Sequence, residues 1–131
     1  MNAPNRTVRA LSTFIVRGAG GLRVRVRVLP SEEDVDRQYG TAQVRRRGKR
    51  RVAACESTQS GRGYRGYFCT IALALDGDWL EFVPHEATHA VVRFMQRHGR
   101  RIYEEKLATA IGILTARIWA ALHRPSAGRA A

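Results

Sequence analysis

The segment FVPHEATHAVVRF, residues 82–94, places two histidines four residues apart, with a glutamate directly after the first. On an α-helix, residues i and i+4 stand one above the other. His85 and His89 would therefore offer imidazole nitrogens to one ion from one helix face. Zinc takes such nitrogens at roughly 2.0–2.1 Å. Glu86 would sit about 100° round the helix from His85, beside the ion rather than on it. A zinc ion lowers the pKa of its water towards roughly 7, and a carboxylate within hydrogen-bond reach completes the activation. The pattern points to metal-assisted hydrolysis, with Zn2+ as cofactor, His85 and His89 as ligands and Glu86 as the catalytic general base.

A catalytic zinc usually has three protein ligands and an open fourth position. The next helical stretch offers Glu104 and Glu105. Glu104 points nearer the centre of the apolar stripe Leu107, Ile111, Leu114 and Ile118, where an unpaired carboxylate is costly and a cation would suit it. Both glutamates also suit an ordinary acidic first turn. With a turn at Gly99, His89 lies ten residues before it and Glu105 six after. That spacing leaves an axial offset of roughly 6 Å at 1.5 Å per residue.

The run EKLATAIGILTARI after the HEATH segment resembles the second active-site helix of the zincin metallopeptidases, specifically the thermolysin-like Glu-zincins. The resemblance spans residues 67–120 and implies a peptidase acting on a protein or peptide substrate. It gives the third-ligand position to Glu105. It gives Ala108 and Gly112 the small positions that let the histidine-bearing helix come close. It also implies that the strand over 67–75 lines the substrate cleft and pairs with an extended peptide. Thr109 stands where many such enzymes carry an aspartate behind a ligand histidine. His98, Tyr103 and His123 are candidates, by residue type alone, for stabilising an oxyanion.

The elements that must position these residues read as one α+β domain over 1–131, with a small N-terminal antiparallel sheet and short helix, then a C-terminal helix pair. Residues 12–29 form a β-hairpin around GAGG. Val24, Val26 and Val28 take the buried face, and Arg23, Arg25 and Arg27 line the other. Those arginines read as a solvated face or, alternatively, as a phosphate track. Ser31 caps a short helix over 32–39, whose first turn holds Glu32, Glu33 and Asp34. The continuous apolar run YFCTIALALDG predicts a buried strand. The spacing predicts a helix from Pro84 that stops at Gly99 and another over the following stretch that ends before Pro125, the pair spanning 84–123. Trp79 and Trp119 read as packing anchors, and 124–131 as a frayed tail.

Basic residues outnumber acidic ones 23 to 11, a net charge of +12 that favours a polyanionic partner. Arg45, Arg46, Arg47, Lys49, Arg50 and Arg51 concentrate that charge. They support the alternative reading of a nucleic-acid-binding or regulatory protein with a structural or vestigial metal site. Cys55 and Cys69 match no zinc-ribbon or redox spacing and read as reduced thiols, with a disulfide as the alternative. No run approaches the roughly 18 apolar residues of a membrane span, and the N-terminus carries no secretory pattern. Cytoplasmic residence is the expectation.

Overall fold

A computed structural model describes residues 8–40, 46, 48, 51–57, 66–101 and 103–124. The Gly-rich connection around 58–65 and the tail beyond 124 lie outside the described residues, as do Arg45, Arg47, Lys49 and Arg50.

Alternating valines and arginines build the first hairpin as expected. Strand β1 (Ser12–Arg17) pairs antiparallel with β2 (Arg23–Leu29). The turn contains a 3-10 segment at Ala19–Gly21, where Gly20 and Gly21 both take positive φ. Ser31 then accepts a hydrogen bond from the Asp34 amide and starts α1 (Glu32–Tyr39). Strands β3 (Ala53–Ser57) and β4 (Cys69–Ala74) complete a four-stranded sheet in the order β1-β2-β4-β3.

The sheet is mixed, not wholly antiparallel. The chain leaves β2 through α1 and β3, and β4 returns parallel to β2 while pairing antiparallel with β3. This also corrects the cleft expectation. With β2 on one side and β3 on the other, β4 has no edge to offer an extended peptide. Its six residues are all buried, which explains the unbroken apolar run.

Two helices cover one face of the sheet. Asp78 accepts a hydrogen bond from the Glu81 amide and starts α2 (Trp79–Arg97), five residues earlier than Pro84 suggests. Pro84 is thus interior, and its missing N–H costs the helix one bond to the Leu80 carbonyl. Leu80 is 76% exposed, which leaves that region open to water. Helix α3 (Glu104–Leu122) follows a turn in which Gly99 adopts φ +61. Leu114 and Ile118 of α3 and Val83, Ala87 and Val91 of α2 bury against Val24, Val26, Ile71 and Leu73. On the opposite face α1 covers one end of the sheet, packing Val35 and Tyr39 on Leu29, Ala54, Ala72 and Ala74. Among the described residues no helix is long and apolar enough to cross a membrane.

Candidate metal centre

Helix α2 turns one face to the sheet and the opposite one to solvent. Taking His85 as reference, the buried Val83, Ala87, Ala90, Val91 and Phe94 lie about 140–240° round the axis. His85 and His89 stand within about 40° of each other on the outer face, and both are exposed. Their Nε2 atoms are 3.3 Å apart. Two nitrogens held 2.0–2.1 Å from one tetrahedral ion would be about 3.3 Å apart. The pair already has the separation a zinc ion requires, and without it one ring can donate its Nε2–H only to a partner whose Nε2 is unprotonated.

Glu86 is oriented differently. It sits at the border between the buried and exposed faces, with its side chain only 6% exposed against 61% for His85. Its Oε2 lies 3.8 Å from His85 Nε2. Burial pushes the Glu86 carboxyl above its ordinary pKa, and the charges of His85, Arg51 and Arg93 pull it down by less. A carboxylate held up in this way is a stronger base than an exposed one. His89 moves in the opposite direction. Partial desolvation of its ring leads, followed by Arg93, His85 and Arg51, and together they lower its pKa. That favours the neutral imidazole, the form that binds metal. Arg93 is anchored by donating from Nη1 to the Cys55 carbonyl on β3. Arg51 is held by its backbone amide, which donates to Asp36 Oδ1 at 2.8 Å.

Glu105 is not brought to the histidines. It lines a cavity of about 320 Å³ with Val91, Phe94, Met95 and Arg100, beside Ala19 and Gly20 of the hairpin turn. Met95 and Phe94 point about 120–140° away from His89 round α2, so the cavity and the histidine pair lie on different sides of that helix. Ala108 and Gly112 are exposed, and nothing lies within 4 Å of a Cβ built on Gly112. These small residues do not admit α2 as the resemblance implies. The axial offset in the residue count shows the same difficulty: the short turn at 98–101 leaves Glu105 opposite the C-terminal part of α2. Glu104 is also exposed. Every His, Cys, Asp and Glu of the chain lies among the described residues. They contain no group of three or more that could hold a metal. In this conformation the chain supplies two nitrogen ligands, leaving further positions to water or a bound molecule.

The other candidates have structural occupations. His98 Nδ1 pairs with the Phe94 carbonyl at 2.9 Å, and His123 Nδ1 with the Trp119 carbonyl at 2.8 Å. Each imidazole thus satisfies a C-terminal carbonyl of its own helix. Tyr103 Oη accepts from Arg101. Trp79 donates Nε1–H to the Ala74 carbonyl at 2.7 Å, and both tryptophans pack against the core. Cys55 and Cys69 are free and buried, with sulfurs 3.7 Å apart. The hydrogen bond to Cys55 and burial push the Cys69 thiol far up, which keeps it from acting as a thiolate ligand. Of the basic tract, Arg46 is exposed and Arg51 is half-buried, close enough for its charge to act on Glu86. Sequence reasoning missed the arginine frame of Arg51 and Arg93 around Glu86. The one available signal was Arg93 at i+7 from Glu86, two turns along the same side of the helix. No family model, curated protein or solved structure matches the chain.

Proposed function

We propose that the protein is a zinc-dependent hydrolase of peptide bonds. His85 and His89 would hold the ion, and Glu86 would move the proton. The observation that carries this reading is the 3.3 Å separation of two imidazole nitrogens on an open helix face, with a buried carboxylate beside them. A zinc ion there would supply Lewis acidity at the reacting carbonyl and an acidified water. Glu86 would accept a proton from a water beside it and return it to the leaving amine, a role that suits a carboxylate whose pKa burial has raised. Arg93 and Arg51 keep the ionised form accessible after burial. Outward-facing His85 and His89 leave room for an extended chain to approach from solvent.

The test is hydrolysis of an unstructured protein such as casein, with the zinc-loaded chain compared against Glu86→Gln. Glutamine keeps the shape and loses the base, so the rate should fall by about 10²–10⁴-fold while zinc stays bound. A variant as fast as the parent contradicts the role of Glu86. An inert, fully zinc-loaded parent contradicts the activity itself.

A further inference from the structure

The end of the sheet's outer face that no described helix covers carries a second surface, independent of the zinc reading. Helix α1 shields Leu29, Ala54, Ala72 and Ala74, and stops there. Beyond it, the strand registers place Ile15 opposite Arg25, and Arg17 opposite Arg23. Arg25 in turn lies beside Thr70, and Thr70 beside Glu56. Arg17 and Arg23 are exposed, and Ile15 is 47% exposed. Like charges directly opposite one another weaken a strand pair. Here a third arginine follows on the same face, and the carboxylate of Glu56 on β3 is two strands from β2 and three from β1. The fold therefore keeps a concentration of positive charge that works against it.

Arg27 shows how such a charge is used when its role is structural. It is buried and donates to Tyr39 Oη and the Val8 carbonyl, each at 2.7 Å. Arg17 and Arg23 make no side-chain hydrogen bond to a described residue. Arg25 is different again. Its Nε donates to Thr70 Oγ1 at 3.0 Å, and its guanidinium lies 4.7 Å from the Tyr67 ring centroid. A planar cation and an aromatic ring are thus held together beside two solvent-facing arginines.

We infer that this face binds single-stranded nucleic acid. Arg17 and Arg23 pair with phosphates, while Tyr67 and Arg25 form a platform for stacked bases. Stacking on aromatic and guanidinium planes over a sheet, with cations along the backbone, is how unpaired strands are held. A duplex fits poorly. Four strands spaced about 4.8 Å apart are broader than the roughly 12 Å major groove, and α1 stands over one end of the face. The surface suits two or three nucleotides of a flexible strand. It lies at the opposite end of the sheet from Arg51, which precedes the first residue of β3.

The experiment is fluorescence anisotropy of the full chain with a labelled ten-nucleotide oligothymidylate, over 50–200 mM salt. Arg17→Ala/Arg23→Ala should weaken binding and make the log–log salt slope shallower by about 1.4, for two phosphates at about 0.7 each. Tyr67→Leu should weaken it by about 5–150-fold with little change of slope. Both exposed arginines oppose each other, so their loss should leave the melting temperature unchanged or higher, which checks the fold. Absent binding at 50 mM salt overturns the inference. So does parental affinity in both variants, or a duplex bound as tightly as the single strand and insensitive to Tyr67→Leu. Binding lost only when Arg45–Arg51 are neutralised would assign it to that tract and likewise overturn it.

Discussion

Replacing Glu86 by glutamine separates two consequences of burying a carboxylate. Its folded pKa lies above the unfolded value, so the unfolded chain releases its proton first. Stability is therefore lost as pH rises from about 4.3 through the folded pKa, and stays lost above it. Glu86→Gln should melt higher than the parent at pH 7–8, with the difference vanishing near pH 4. A melting temperature equal or lower at pH 8, read by circular dichroism, would mean that the arginines outweigh burial. His89 has the opposite sign. Its folded pKa is depressed, so its stability contribution is lost as pH falls through about 6.5. The same depression delays proton competition for metal. Zinc should stay bound further into acid than the unfolded histidine value would allow. Release already complete at pH 6.5 would contradict that. At this scale the pairing of His85 and His89 on one helix face was legible because it is a matter of spacing within one helix. The arginine frame was not, since Arg51 comes from another part of the chain.

The elements were readable where a local signal sets them. Alternation defined β1 and β2, the Ser31 cap set α1, and the apolar run announced β4. Pro84 misled because proline is most at home in a first turn, whereas the carboxylate of Asp78 provides an earlier start. Asp78→Ala should cost about 0.5–2 kcal/mol in denaturant unfolding and loosen the turn that leads into His85. An unchanged midpoint would show that Pro84 starts the helix after all. Periodicity also failed to place α3 relative to α2. A wheel shows which side of a helix is apolar, but not the angle at which two helices meet. Ala108 and Gly112 consequently face solvent, and Glu105 lines a cavity instead of approaching the histidine pair. Strand order is equally non-local: nothing within 67–75 reveals that both its edges are occupied.

For the whole molecule, the α+β layering followed from the order of strands and helices, and the charge from composition alone. A net +12 on 131 residues repels itself in the compact state. Salt screens that repulsion, with a Debye length of about 10 Å at 0.1 M. The melting temperature should rise between 50 and 500 mM sodium chloride. A fall would mean that ion pairs such as Arg37 with Glu33 and Asp34 dominate instead. The most direct test of the metal centre is zinc content by elemental mass spectrometry after reconstitution and desalting, for the parent, His89→Ala and Glu105→Ala. Zinc held by the histidine pair predicts about one ion per chain in the parent, its loss in His89→Ala, and near-parental loading in Glu105→Ala. A parent without zinc, or His89→Ala loaded like the parent, would contradict the site. Loss in Glu105→Ala would instead contradict the position of α3's first turn, by bringing that carboxylate to the metal.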